Sequence, residues 1–248
     1  NVINAQGKCA TPVIIDNHSH LGVYPSPSVS AHGDGNEISG AVTAEVWAEH
    51  GIWPQDPGFP RALAGGVTSL QILPGSANLF GGRGVTLKNV PSRTVQGMKF
   101  PDAPYTLKMA CGENPKRVYG APYSRMGNVA GYRMAWAKAV EYKRKWEKYA
   151  DKGGDPPTRD LELDTLMGVL NGDILVHMHC YRADEMAQIM DMSQEFGYKV
   201  TSFHHAVESY KIADKLADYG ACSAMWADWW GFKMEAYDGI RENIPMVH

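Results

Sequence analysis

The stretch from Leu161 to Met225, LELDTLMGVLNGDILVHMHCYRADEMAQIMDMSQEFGYKVTSFHHAVESYKIADKLADYGACSAM, decides the fold. Leu161 to Leu170 reads as a helix, Ile174 to His179 as a strand, and Ala183 to Phe196 as a helix ended by Gly197. Lys199 to His204 is a strand, Val207 to Tyr219 a helix ended by Gly220, and Ala221 to Met225 a strand. Strands that alternate with helices in this way predict parallel βαβ units.

Working outward, Pro12 to Asp16 is a short β-branched run that breaks into the polar, Gly- and Pro-dense stretch His18 to Gly40, as a strand followed by a loop reads. Phe59 to Ala64 is a helical stretch closed by Gly65-Gly66, and Val67 to Leu73 is a strand stopped at Pro74-Gly75. Gly84 to Val90 and Tyr105 to Ala110 are further strands, which makes seven. Tyr132 to Ala150 carries Tyr132, Trp136, Ala139, Val140, Trp146 and Ala150 at helical spacing. Its Lys143-Arg-Lys145 run reads as the solvated face of that helix. Asp151 to Asp160 is a loop within one domain that covers residues 1–248.

The chain has 248 residues and a mass of 27.3 kDa, a size that single α/β barrels commonly occupy. With 44% hydrophobic and 21% charged residues, a packed core is expected. The net charge of -3 supplies no positive field for nucleic acid or anionic membranes, and no apolar run is long enough to span a bilayer. The start, Asn1 to Lys8, lacks the plan of a signal peptide. A soluble protein of the cytoplasm or periplasm, taking a small-molecule substrate, is the expectation; homo-oligomerisation stays open. The four cysteines, Cys9, Cys111, Cys180 and Cys222, form no CxxC pair, and reduced structural thiols are expected.

Histidines gather at the ends of these strands, where parallel α/β folds build their active sites. In Asp16-Asn-His18-Ser-His20 the two imidazoles are two residues apart, so on a strand they project to one side and can grip one ion. Neutral imidazole suits zinc and its neighbours in the first transition row. His177-Met-His179 repeats the spacing, His179 being the better ligand and His177 one layer deeper. His204-His205 closes a third strand, and strand alternation lets only one of that pair face inward. No G-x-S-x-G elbow or P-loop is present; Gly81-Gly-Arg83-Gly84 reads as a turn.

Thr11-Pro-Val-Ile-Ile-Asp16-Asn-His18-Ser-His20-Leu-Gly22 resembles the first-strand signature of the amidohydrolase superfamily. Ala62-Leu-Ala-Gly-Gly-Val67-Thr68 resembles the family's second-strand entry. Val176-His-Met-His179 with Arg182-Ala-Asp, and His205-Ala-Val-Glu208, resemble its fifth- and sixth-strand motifs in the subgroup close to imidazolonepropionase. The resemblance implies a (β/α)8 TIM-type barrel binding one or two divalent metal ions, zinc by preference. It implies His18 and His20 as metal ligands and settles the adjacent pair in favour of His205. His179 and His205 are then ligands or catalytic groups that polarise the substrate. For the family's bridging acid, Leu107-Lys108-Met-Ala-Cys-Gly-Glu113 offers a carboxylated Lys108 or Glu113, and Glu113 is preferred for its place at a strand-to-loop turn. By position Tyr24, Arg182 and Tyr210 are assigned to substrate binding.

The family's eighth-strand Asp and its small β-sandwich have no counterpart, so the barrel is expected to be incomplete, a fragment of a longer protein. The function expected is metal-dependent hydrolysis of a carbon-nitrogen bond in an amide, cyclic amide or dipeptide-like substrate by metal-activated water. Deamination of a cyclic amidine, or a non-catalytic barrel that binds a metal or ligand, are the alternatives.

Overall fold

The computed structural model describes residues 4, 6–9, 11–119 and 124–248. Seven strands form one sheet in chain order: β1 (Ile14–Ser19), β2 (Val67–Ile72), β3 (Phe80–Lys88), β4 (Thr106–Ala110), β5 (Leu175–Cys180), β6 (Val200–His205) and β7 (Cys222–Met225). The helices are α1 (Gly58–Ala64), α2 (Glu113–Tyr119), α3 (Arg125–Lys152), α4 (Leu161–Asn171), α5 (Ala183–Phe196), α6 (Ala213–Tyr219) and α7 (Asn243–Val247). The sheet rolls into a nearly closed barrel: His18 on β1 and His204 on β6, far apart in strand order, stand ring to ring at 4.8 Å.

From β4 to β7 every pairing is parallel, with helices on the outside, as the alternation of the quoted stretch requires. The Asp160 side chain accepts from the Leu163 N–H at 3.0 Å and caps α4, while α5 and α6 end at Gly197 and Gly220, both in the left-handed region. One part of the expected pattern differs. β3 runs antiparallel to both β2 and β4. Only residues 73–79 separate β2 from β3, too few for a crossover helix, so the chain turns back on itself.

α3 buries Tyr132, Ala135, Trp136, Ala139 and Tyr142, and Trp136 stacks on Tyr198 at 4.2 Å. Val140, Trp146 and Ala150, assigned by spacing to the same face, lie at its margin or outside it. The basic run is a solvated face as expected: Lys145 pairs with Glu141 at 2.8 Å, and Lys143 donates to the Leu170 carbonyl. Among the described residues no helix is long and apolar enough to cross a membrane.

The cysteine expectation is corrected for one pair. Parallel register aligns Ala110 with His179, which brings the next residues, Cys111 and Cys180, to a Cα separation of 5.2 Å, and they form a disulfide. Sixty-nine positions of sequence hid this adjacency, because only strand pairing creates it. Cys9 and Cys222 are free and exposed.

Candidate active site

Six imidazoles meet inside the barrel at the carboxyl ends of β1, β5 and β6. His18 lies 5.0 Å from His20, 4.8 Å from His204 and 4.8 Å from His205, centroid to centroid. His179 stands 4.5 Å from His205, and His177 stands 4.9 Å from His204. The expectation that only one of His204 and His205 faces inward fails. His205 has φ +68° and Ala206 φ +43°, so the strand ends in a left-handed bend that swings both rings toward His18.

The HxH pair is held by its Nδ1 atoms. His20 Nδ1–H donates to the Leu73 carbonyl at 2.8 Å, a partner that only accepts, so its Nε2 carries the lone pair. His18 Nδ1 meets His204 Nδ1 at 2.7 Å, and His204 Nε2 meets His177 Nδ1 at 2.7 Å. The Gln71 amide nitrogen follows, donating to His177 Nε2 at 3.3 Å. His179 Nδ1 and His205 Nδ1 are buried without a hydrogen-bond partner.

Lys108 is the central surprise. It sits in β4 opposite His177, fully buried, and its amine has no hydrogen-bond partner. Burial pushes its pKa down to about 7. All six histidines are pushed below the ordinary imidazole range, first by burial and, for every one of them, also by the Lys108 charge; His20 and His177 fall to about 4. The imidazoles are therefore neutral at pH 7, the form that binds metals. A lone Lys between Leu107 and Met109 in an otherwise apolar strand was the available signal for this residue.

The remaining sequence assignments are placed as follows. Glu113 opens α2, half-buried, with its backbone N–H donated to Glu235 at 2.9 Å. Tyr24 packs edge-on to His20 at 5.8 Å, and its hydroxyl is engaged by Asn36. Arg182 makes a two-pronged pair with Asp184 at 2.8 and 2.9 Å, and the Tyr210 hydroxyl donates to the Asp238 carbonyl at 3.0 Å. The contacts of these last two are thus outside the histidine cluster. Two tryptophans that the sequence reading passed over do reach it. Trp229 stacks on His205 at 5.1 Å, and Trp226 lies 5.0 Å from the same ring.

As they stand, no three His, Cys, Asp or Glu side chains among the described residues are drawn together tightly enough to hold a metal ion. The donor chemistry nevertheless fits one. Neutral imidazoles, that of His20 tethered through Nδ1, two buried ring nitrogens lacking partners and an unpartnered buried amine make up a set of unsatisfied donors and acceptors.

No protein-family model matches the chain. All of it aligns, at 34% identity and a TM-score of 0.88, with the crystal structure of an amidohydrolase from Thermotoga maritima MSB8, of which it covers 67%. The chain belongs to the amidohydrolases. It is also 34% identical over 272 aligned positions to amidohydrolase tasK of Hapsidospora irregularis, and spans 28% of that protein's length. Within this amidohydrolase chain, the histidines matched by motif are those that converge in space.

Proposed function

We propose that this amidohydrolase chain forms the catalytic barrel of a metal-dependent hydrolase that cleaves a carbon-nitrogen bond in a small amide or cyclic amide, of the kind handled near imidazolonepropionase. The observation that carries the reading is the convergence of six neutral imidazoles around the buried, unpartnered Lys108 amine. His18 and His20 would hold the metal through Nε2, with His179 and His205 as further ligands or as groups that orient the substrate carbonyl. Lys108, rather than Glu113, is assigned the acidic ligand. Addition of its amine to carbon dioxide forms a carbamate with release of one proton, and this replaces an orphaned cation by an anion with two oxygen donors. Glu113 is less suited, because it opens a helix half-buried and its contact there is with Glu235.

Zinc, as one or two ions, would lower the pKa of bound water toward neutrality and polarise the scissile carbonyl. The chain's own residues do the rest of the positioning. Trp226 and Trp229 shield His205 from water, and Tyr24 stands at the rim beside His20.

The test is elemental analysis of protein expressed with zinc, joined to a substrate panel of small lactams, dipeptides and aminopyrimidines. Bound zinc that is lost in His18→Ala and Lys108→Ala, with hydrolysis of lactams or dipeptides, is the expected result. Less than about a tenth of an equivalent of metal would overturn the metal reading, since each ligand and its support normally contributes ~10 to 100-fold in affinity. Ammonia release from aminopyrimidines alone would assign a deaminase instead.

A further inference from the structure

We propose that the cavity between β3 and α4, outside the barrel wall, is a binding site for a small organic anion, a carboxylate or phosphate monoester whose charged group lies against Arg83. This site is separate from the histidine cluster and stands whatever that cluster binds.

Gly81-Gly-Arg83-Gly84, which reads as a turn in the sequence, lies inside β3. A Cβ on Gly82 would stand 2.5 Å from the Val46 carbonyl oxygen, and one on Gly84 2.5 Å from the Thr106 hydroxyl, so neighbours press on the backbone at both sides of the arginine. Arg83 carries the only side chain of the four residues. Across the ladder it faces Leu107, while Gly82 faces Lys108, and successive strand residues point to opposite sides of a sheet. Lys108 turns in to the histidines, and Leu107 joins the outer core with Leu166 of α4. Arg83 therefore leaves the outer surface of the barrel, toward α4.

There its guanidinium is fixed in place without being neutralised. It lies 4.2 Å from the centre of the Trp47 ring, and its Nε donates to the Thr165 hydroxyl at 2.8 Å. Its terminal nitrogens have no hydrogen-bond partner among the described residues. Arg125 and Arg182, the other half-buried arginines described, each hold a carboxylate, at 2.9 and 2.8 Å. Arg83 holds none, and burial pushes its pKa downward, as it does for a cation withdrawn from water. A planar fork with its stem clamped and its outer N–H groups uncommitted is suited to take a carboxylate or phosphate on two bonds.

The cavity that Arg83 lines has a volume of about 470 Å³, in the range of small-molecule sites. Its wall includes Trp146, whose buried indole N–H has no acceptor, and Tyr105 and Met167, which offer surface to an apolar body. Exposed Arg159 adds a second guanidinium. Of the two acids in the wall, Asp164 is already taken by Arg159 at 2.6 Å and by the Tyr142 hydroxyl at 2.7 Å, and Asp173 is exposed to water. Away from solvent, the charge left uncompensated is that of Arg83.

The probes are benzoate, phenyl phosphate and the neutral benzyl alcohol, titrated in low-salt buffer, where charge recognition is least screened. Binding is followed by calorimetry and by the Trp146 indole N–H in 1H–15N spectra, assigned by its loss in Trp146→Phe. The expected result is saturable binding of benzoate or phenyl phosphate that moves the Trp146 signal, with benzyl alcohol at least about 10-fold weaker. Arg83→Gln, which keeps an N–H donor and removes the charge, should weaken anion binding about 10 to 100-fold. Asn171→Glu, an exposed change in the cavity wall that adds a competing negative charge, should weaken it in the same sense, and it keeps the comparison intact if Arg83→Gln fails to fold. Anions that bind either variant as tightly as the wild type, benzyl alcohol that matches benzoate, binding that leaves the Trp146 signal unmoved, or no saturable binding at all overturns the site.

Discussion

The two sides of the barrel hold their histidines by different means. On the parallel side, β4 is buried along its whole length and β5 along all but its first residue, beneath a core in which Trp136 is fully enclosed. His177, His179, His204 and His205 are carried there by packing. On the other side β1 has only β2 as a neighbour in the sheet, and Ile14 and Ile15 are 50% and 68% exposed. His18 and His20 are held by hydrogen bonds, to His204 and to the Leu73 carbonyl. One side of the site is placed by close packing; the other is tied to it by directional bonds between buried polar groups. The second kind of support is the more vulnerable to a change in protonation.

Acid should break the comparison altogether. His20 and His177 have folded pKa values near 4 against 6.5 unfolded. Between those values the unfolded chain binds more protons, so stability contributed by the neutral cluster is complete above pH 6.5 and is lost as pH falls through 4. Circular dichroism of the metal-free chain across this window should show unfolding; a denaturation midpoint unchanged from about pH 7 to pH 4 contradicts it.

Next in size, Trp136→Ala should cost about 3 to 5 kcal/mol in urea denaturation, as a large cavity in the packed side. A loss under about 1 kcal/mol would mean that this side is not held by packing. Lys108→Met tests the buried polar centre in the opposite sense. Removing an unpartnered amine should raise metal-free stability by about 1 to 3 kcal/mol while metal content drops. The gain should shrink as pH rises from 7 toward 10.5, because there the unfolded lysine holds a proton that the folded one has released, and wild-type stability climbs with pH. A destabilised Lys108→Met chain would show that the amine has a partner. The smallest effect belongs to the exposed strand: Ile15→Ala should stay within about 0.5 kcal/mol of the parent.

Much of this architecture was legible before any coordinates. The alternation from Leu161 to Met225 specified parallel strands and their helices because apolar periodicity and glycine stops are local properties of the chain. Asp160, Gly197 and Gly220 end or begin helices where their chemistry requires it. That His18, His20, His179 and His205 come together in space was expected from spacing together with family resemblance. Between Glu113 and Lys108 the sequence offers only position, a turn against the interior of a strand; that Lys108 is fully buried is set by the strands around it.

Short-range chemistry is written along the chain, but register, strand direction and burial are set by contacts between distant residues, and only the tertiary structure decided those. It turned β3 against its neighbours because residues 73–79 are too few to cross over. It brought Cys111 beside Cys180 through the pairing of β4 with β5. It bent β6 at His205 so that both adjacent histidines reach His18. It stripped the Lys108 amine of water and partners, a condition that no sequence pattern encodes because it depends on what every surrounding strand places against that one atom.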